Sequence, residues 1–325
     1  GREGYMNVGE APGITPERNE FITNPAHKEL DMLFLFDHVS IDQSPESKWD
    51  THAFVPKKLQ DRMSRQQEAV RNAGWASLFF CNHDQPRVVS RWGNDSDRES
   101  RELSAKAFGM LLHMHRGTPY IYEGEELGMT NAHFTELGQY RDLEAINAYR
   151  QRVEEARCQS PESMMAALAL IGRDNSRTPM QWDSSRYAGF TPADAATEPW
   201  IGVNPNHVEI NAAEEFDDPE SVYGFYKKLI AMRHDNATVA TGEWNLLAAD
   251  DEQVYAFTRT SGDDTILVVV NLTDRSAGLP GEVAELLGDG VAESQILLST
   301  YDAVHGVKSI ARGELARWEG VVIQL

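Results

Sequence analysis

Short apolar runs of strand length recur through the first two-thirds of the chain, and segments with helical character separate them. The apolar runs end in polar residues and cover residues 5–10, 30–36, 75–80 and 118–126. Capping signals, helical propensity or helical spacing of apolar residues mark residues 15–18, 60–67 and 100–114 between them. Alternation of strand and helix at this spacing predicts βα units and a parallel sheet. Four such units are half of an eight-unit (β/α)8 TIM barrel.

The pattern changes after Asn236, where short apolar strands follow one another with little helix between them. The predicted strands are residues 254–257, 266–272, 295–298 and 320–323, separated by Gly, Asp and Asn turns. This pattern predicts a small antiparallel β-sandwich domain, and an amphipathic helix is predicted just before it, over residues 221–233. We therefore expect an α/β protein of two domains. Residues 1–236 would form part of a catalytic barrel and residues 237–325 the β-sandwich.

Carboxylates stand at three of the predicted strand ends, at Glu10, at Asp84 and in the group 123–126. Because the carboxyl ends of parallel strands meet at one edge of a sheet, we expect these acids on one face. A strand followed by a solvated polar turn gives the same local pattern. The inference of a functional site therefore depends on the repetition of this pattern at several predicted strands. Hydrolysis of a glycosidic bond uses two carboxyl groups, one as proton donor and one as nucleophile or base. His83 and Arg173 are candidates to bind sugar hydroxyls and to set the charge of neighbouring acids.

Composition narrows the classes of function. The net charge of −21 argues against nucleic acid and anionic membrane surfaces as partners, and it fits a small neutral substrate. The sequence shows no apolar run long enough to cross a bilayer and no signal-peptide pattern. Cys81 and Cys158 have no metal-ligand spacing, and Cys81 ends an apolar run as a small buried residue would. We expect a globular cytoplasmic protein without disulfides, metal or cofactor.

Six ordered motifs resemble those of retaining glycoside hydrolases of the α-amylase family. Within that family they resemble the oligo-1,6-glucosidase branch, which also holds dextran glucosidase and trehalose-6-phosphate hydrolase. The motifs are residues 8–13 (VGEAPG), 82–87 (NHDQPR), 117–122 (GTPYIY), 124–131 (GEELGMTN), 173–183 (RDNSRTPMQWD) and 199–206 (PWIGVNPN). They are spread over about the first two-thirds of the chain, so chance agreement is negligible.

The resemblance implies a role for each matching residue. Glu10 matches the general acid/base that protonates the leaving oxygen. Asp84 matches the third carboxylate, which holds sugar hydroxyls and stabilises the oxocarbenium-like transition state. His83 matches a histidine that hydrogen-bonds the non-reducing glucose. Arg173 matches an arginine that braces the pocket floor by pairing with an acid from earlier in the barrel, and Glu144 matches a glutamate on the leaving-group side.

Other conspicuous polar and aromatic residues receive structural interpretations. Glu125 and Glu126 are expected to bond backbone groups at a strand end rather than to act in catalysis. Arg177 is expected to brace a loop rather than to touch substrate. For Trp200 and Asn204, a structural role and a place on the rim of the pocket are left equally open.

The family's nucleophile, an aspartate in a Gly-Phe-Arg-hydrophobic-Asp context, has no counterpart in this sequence. The resemblance therefore implies that the chain corresponds to barrel strands five to eight plus the trailing β-domain. It would be a fragment, or one piece of a cleaved enzyme, whose partner is the missing amino-terminal half of the barrel. We expect the chain to be inactive by itself.

The expected activity is that of an exo-acting α-glucosidase, which hydrolyses α-1,6 bonds of isomalto-oligosaccharides with retention of configuration. Trehalose-6-phosphate hydrolase, a sucrose-active enzyme and an α-1,4-glucosidase are alternatives, since the branch sets linkage preference largely beside the missing nucleophile. A non-catalytic α-glucosidase-like interaction subunit is an alternative of another class. Such subunits have lost catalytic carboxylates and gained a membrane span. Glu10, His83 and Asp84 are present here, and the sequence shows no span.

Overall fold

A four-stranded parallel sheet forms the centre of the first part of the chain. The computed structural model describes residues 4–27, 29–288 and 290–325. The sheet contains β1 (Val8–Glu10), β2 (Met32–Phe34), β3 (Ala76–Leu78) and β4 (Thr118–Pro119), in that spatial order. Each strand pairs in parallel with the next, as Val8 with Met32, so all four carboxyl ends meet at one edge. The strands are shorter than the predicted apolar runs but lie inside them.

Helices lie between these strands and after them. They are α1 (Pro16–Thr23), α2 (Pro56–Ala69), α3 (Val88–Arg91), α4 (Arg98–Met114), α5 (Leu143–Tyr149), α6 (Pro161–Ile171), α7 (Ala212–Glu215), α8 (Val222–Asp235) and α9 (Ala237–Thr241). A π-helical turn, Arg150–Glu155, follows α5 directly. The predicted cap of α1 is confirmed, because the Thr15 hydroxyl accepts a hydrogen bond from the Arg18 N–H and Pro16 occupies the first turn. Among the residues that the structure describes, no helix combines the length and apolar character needed to cross a membrane.

The last third of the chain forms an antiparallel sheet with two helices. Its strands are β5 (Glu243–Leu247), β6 (Val254–Ser261), β7 (Asp264–Asn271), β8 (Ala277–Gly278), β9 (Ile296–Ser299), β10 (Glu314–Leu315) and β11 (Gly320–Gln324). Five of them pair in the order β5-β6-β7-β11-β9, and β8 pairs with β10 in a separate two-stranded ladder. The predicted boundary at Ala237 falls at the first residue of α9, and the division of the chain into domains there stays a prediction.

The expectation of little helix in this region is wrong. The structure contains α10 (Gly281–Leu287) and α11 (Ala303–Arg312) between the strands. Both ends of α11 are marked in the sequence: Asp302 caps it by accepting from the His305 N–H, and Gly313 ends it at φ 68°. The strand β5 was also not predicted, because it does not show the continuous apolar run of its neighbours.

One hydrophobic cluster joins the parallel half to the antiparallel sheet. It includes Phe80 beside β3, Phe108 in α4, Phe257 in β6 and Val268 in β7. The Phe108 ring lies 6.0 Å from the Trp318 ring, which belongs to the last segment of the chain. Burial of these side chains in one cluster packs the antiparallel sheet against α2 and α4.

A buried arginine reinforces this junction. Arg259, on β6, donates to the carbonyl oxygens of Met114 and Val239, each at 2.7 Å, and to that of Gly242 at 2.8 Å. Met114 is the last residue of α4 and Gly242 follows α9, so the guanidinium lies at two helix ends where carbonyl oxygens point outward. Burial lowers the pKa of Arg259 to about 9, with help from the charges of Arg233 and Arg116, and the group stays charged at neutral pH.

Replacing this arginine should destabilise the protein as a whole. The substitution Arg259→Met leaves three buried carbonyl oxygens without donors, and we expect a loss on the order of 3 kcal/mol in the free energy of unfolding. Urea unfolding followed by circular dichroism measures it. Arg275→Met, at an exposed arginine of the same sheet region, is the control and should change the midpoint little. Equal midpoints for the two variants would contradict the role given to Arg259.

Candidate active site

The carboxyl ends of the parallel strands border a cavity of about 240 Å³. Glu10, the last residue of β1, lines it together with His83, which lies in the loop after β3. Aromatic side chains form much of its wall: the Phe34 ring is 5.4 Å from Phe79 and 4.5 Å from Tyr120. The structure thus brings two of the predicted site residues into one aromatic-walled cavity. The amino ends of the strands border a larger hollow of about 880 Å³, but barrel enzymes act at the carboxyl ends.

The loop after β3 is fixed by its own hydrogen bonds. The side-chain oxygen of Asn82 accepts from the Asp84 N–H at 2.7 Å, which closes a tight turn. The side-chain oxygen of Gln85 accepts from Arg91 at 2.8 Å. Arg91 is itself held by a buried ion pair with Asp42, at 2.6 Å. These contacts hold in place the loop that carries His83 and Asp84.

Asp84 lies beside His83 and is held by two arginines. Its Oδ1 atom is 2.5 Å from Nη2 of Arg177 and 3.4 Å from Nη1 of Arg173. The other oxygen is 3.6 Å from Nε2 of His83. Charge-assisted contacts of this kind fix both the position and the orientation of a carboxylate.

Arg173 contacts two acids at the start of α5, Asp142 as its N-cap and Glu144 in its first turn. Its Nε and Nη2 atoms bond the two oxygens of Asp142, at 2.9 and 2.7 Å, and Nε lies 3.2 Å from Glu144. The hydrogen bond with Asp142 raises the pKa of Arg173. Burial pushes the pKa of Asp142 upward, but the hydrogen bonds from Arg173 and the Glu144 N–H outweigh it, so that this pKa is lowered. Arg173 therefore has an acid of this chain, Asp142, as its partner.

Glu144 is brought to the same group of side chains. Besides Arg173, it contacts Lys48, whose Nζ atom lies 2.6 Å from Oε2 of Glu144. Lys48 also lies over the Trp49 ring, 4.6 Å from its centroid. Sequence reasoning missed Lys48, which stands in an irregular charged segment after β2. The only signal was its place in a loop at the carboxyl end of a barrel strand.

Three further expectations can be compared with observed contacts. Arg177 donates from Nε to the backbone oxygen of His83 at 2.7 Å, which braces the loop as expected, and it also holds Asp84. Glu126 accepts from the Gly124 N–H at 2.8 Å, which is a backbone contact at the strand end. Glu125 is buried and accepts from the side-chain hydroxyl of Tyr226 at 3.2 Å, so the backbone contact expected for it is not observed. Asn204 is buried and donates to the backbone oxygens of Thr130 and Asn131, so its role is structural.

The pKa of Glu125 predicts a pH-dependent contribution to stability. Burial raises this pKa from 4.5 to about 7, although the contacts with Cys81 and Tyr226 oppose the shift. The folded protein therefore binds a proton that the unfolded chain releases above about pH 4.5. Stability from this group is full below that pH and falls, by roughly 3 kcal/mol, as pH rises to the folded pKa.

Glu125→Gln replaces the protonated acid by a neutral isostere. We expect the unfolding free energy of the variant, relative to the parent, to rise between pH 5 and pH 8 as the parent loses this contribution. Glu123→Gln, at an exposed neighbour, is the control, because it makes the same change of charge without altering the buried site. Denaturant unfolding at several pH values measures both. A flat difference for Glu125→Gln would contradict the buried, protonated state.

A four-stranded parallel sheet with acids near its carboxyl ends, followed by an antiparallel sheet, defines a class of α/β proteins with a trailing β-domain. The chain belongs to the α-amylase family. Residues 2–242 match the model of the alpha amylase catalytic domain, and residues 244–293 match that of the maltogenic amylase C-terminal domain. The fold class and family expected from the motifs are therefore confirmed.

Curated relatives carry more specific names. The chain is 41% identical over 322 residues to an oligo-1,6-glucosidase of Parageobacillus thermoglucosidasius, a match that covers 98% of this chain and 55% of the relative. It is also 41% identical over 312 residues to a glucan 1,6-alpha-glucosidase of Streptococcus pneumoniae, over 93% of this chain and 57% of the relative. The chain thus spans about half the length of the curated relatives it matches.

Solved structures of the family superpose on most of the chain. A trehalose-6-phosphate hydrolase of Bacillus licheniformis gives a TM-score of 0.84 at 36% identity, over 98% of this chain and 56% of that one. A trehalulose synthase mutant in complex with Tris gives a TM-score of 0.87 at 33% identity, over 99% of this chain and 56% of that one.

The described residues contain no group of three or more His, Cys, Asp or Glu side chains placed to hold a metal ion.

Proposed function

We propose that this chain forms the acid/base-bearing half of a retaining exo-α-glucosidase that hydrolyses α-1,6 bonds of isomalto-oligosaccharides. The observation that carries the proposal is the shared cavity of Glu10 and His83, with Asp84 next to it under two arginines. The names of the relatives, oligo-1,6-glucosidase and glucan 1,6-alpha-glucosidase, support the substrate class.

Each residue has a part in the proposed reaction. Glu10 protonates the glycosidic oxygen as the bond to the leaving sugar breaks, and later removes a proton from the attacking water. Asp84 holds sugar hydroxyls and stabilises the positive charge that develops on the ring. His83 donates a hydrogen bond to the glucose in the cavity. The aromatic wall formed by Phe34, Phe79 and Tyr120 gives the sugar a dry, shaped surface.

The charged side chains at the start of α5 are proposed to contact the leaving sugar. Glu144 and Lys48 form an ion pair that also touches Arg173, and Arg173 in turn reaches Asp84. A hydroxyl of the leaving sugar can accept from Lys48 and donate to Glu144 without either charge losing its partner. This paired arrangement suits a neutral sugar better than a phosphorylated one, whose extra charge Glu144 would repel.

The nucleophile is proposed to come from an amino-terminal half of the barrel. The relatives are about twice as long as this chain. The edge strand β1 leaves Val8, and Tyr5 and Met6 just before it, exposed. Pairing of β1 with a preceding barrel strand would cover this edge, which is otherwise open to association.

A substrate panel on the whole protein tests the proposal. We expect isomaltose to be hydrolysed with a kcat/KM at least about tenfold above those for maltose, sucrose and trehalose 6-phosphate. Proton NMR of the first product should show α-glucose, because two displacements retain configuration. Preference for trehalose 6-phosphate would transfer the assignment to that member of the branch. Absence of hydrolysis on all four substrates would favour a non-catalytic subunit.

A further inference from the structure

A second cavity, of about 450 Å³, shares no lining residue with the Glu10 cavity. We call it the Trp200 groove and define it by Phe134, Gln139, Arg141, Tyr187, Glu198 and Trp200. Its walls come from three segments, which precede α5, follow the RDNSRTPMQWD motif and precede α7. Its volume lies within the range of about 300–1,000 Å³ that is usual for small-ligand sites. From these features we propose that the groove is a second carbohydrate-binding site, which takes neutral gluco-oligosaccharides.

Trp200 provides an exposed aromatic surface on a fixed backbone. Its side chain is 65% exposed, whereas Ile201 directly after it is buried. Asn204 is also buried and ties the same segment to the backbone oxygens of Thr130 and Asn131, at 3.2 and 3.1 Å. The backbone near the indole is therefore held in place, while the indole itself stays uncovered. A flat aromatic face that is pre-positioned in this way can pack against the C–H face of a pyranose at little entropic cost.

The charged groups that line the groove include Arg141, Arg186 and Glu198, and each of them can bond a sugar hydroxyl. Arg141 donates from Nη1 to the backbone oxygens of Gly138 and Tyr140, at 2.7 and 3.1 Å, and offers further N–H groups on the same guanidinium. Glu198 provides carboxylate acceptors and lies 3.6 Å from Arg186. A sugar hydroxyl both donates and accepts, so it can use Glu198 and Arg141 together.

The groove is joined to the candidate active site through the backbone. The N–H groups of Arg141 and Asp142 both donate to the buried Asp174, at 2.6 and 2.8 Å. Asp142 then holds Arg173, which reaches Asp84. A sugar bound against Arg141 would thus rest on the same anchored segment that supplies the acid partner of Arg173. The ligand class rests on the proposed function, while the existence of the site rests on the groove itself.

Fluorine NMR of the whole protein labelled with 5-fluorotryptophan tests the inference. The Glu10→Gln background keeps the ligand intact, and the Trp200 resonance is identified by its loss in Trp200→Phe. Trp182, which is 52% exposed and lies outside the groove, is the internal control. Isomaltotriose should shift the Trp200 resonance saturably, with a Kd on the order of millimolar, and leave that of Trp182 in place. Arg141→Met should weaken this Kd about fivefold while leaving the thermal midpoint near that of the parent.

Each other outcome has a definite meaning. A Trp200 resonance that does not move at an isomaltotriose concentration of roughly tenfold the expected Kd would overturn the inference. A saturable shift with glucose 6-phosphate but not with isomaltotriose would also overturn it, in favour of an anion site. Saturable binding at Trp200 in a protein that hydrolyses none of the four substrates would sustain the groove and refute the proposed function. Isomaltose hydrolysis without binding at Trp200 would sustain the proposed function and refute the second binding site.

Discussion

The 325-residue chain by itself is expected to leave isomaltose and p-nitrophenyl α-glucoside intact, whereas the protein with a complete barrel is expected to hydrolyse both. The retaining mechanism passes through a covalent glycosyl-enzyme ester, and the sequence offers no aspartate in the nucleophile's context. Glu10 and Asp84 cannot replace it, because the nucleophile attacks the opposite side of the anomeric carbon from the acid. Loss of a covalent nucleophile removes on the order of 5 kcal/mol or more of transition-state stabilisation, which is several thousandfold in rate.

Turnover by the purified chain, compared with that of the complete protein, measures this loss. Mass spectrometry must show that no amino-terminal fragment copurifies, and Glu10→Gln reports whether any residual turnover comes from this site. Robust turnover that Glu10→Gln abolishes, in a preparation of the chain alone, would show that the nucleophile lies within these residues after all. Adding the amino-terminal half in trans should restore activity, since the open edge of β1 is then paired.

The second large effect is expected from Glu10→Gln in the complete protein. Removal of a general acid costs about 10²- to 10⁴-fold when the leaving group needs a proton. We therefore expect kcat/KM for isomaltose to fall by roughly 10³-fold. For p-nitrophenyl α-glucoside the rate of bond cleavage should fall far less, because a nitrophenolate departs without protonation.

Glu123→Gln is the matched control for this substitution. It removes a carboxylate from another strand end of the same sheet, at an exposed position that lines neither cavity. Its kinetics should match those of the parent on both substrates. Equal losses of Glu10→Gln on isomaltose and on the aryl glucoside would argue against proton donation and for a structural effect.

Local patterns predicted the parallel sheet and the strand-end acids, but not the contacts that link distant segments. Glu10 and Asp84 each follow an apolar run, so the rule for parallel strands was enough to put them at one edge. Lys48 and Glu144 are 96 positions apart in loop and insertion, where no periodicity fixes the fold. Their pairing depends on where α5 lies relative to the loop that follows β2, which is a tertiary effect. The same limit applies to Asp142, whose role became visible only beside Arg173.

The error in the last third has a different origin. The apolar runs of β6, β7 and β11 dominate that region, and the capped helix α11 between them was overlooked. Its signals, an Asp at the start and a Gly at the end, are short and easily taken for turn residues. Turns and helix caps use the same residue types. Only the spacing of the apolar residues between the Asp and the Gly distinguishes a capped helix from a pair of turns.

The hydrophobic cluster shared by the two parts of the fold also limits how such genes can recombine. Phe108 of the barrel packs against Trp318, and Phe80 belongs to the same cluster as Phe257 and Val268. A chimaera that joined this barrel to the β-domain of a distant family member would bring together two halves of a core shaped for other partners. Mismatched volumes at such a seam leave voids or clashes that cost several kcal/mol. The two parts are therefore expected to have been inherited together, with exchanges between lineages confined to the surface loops.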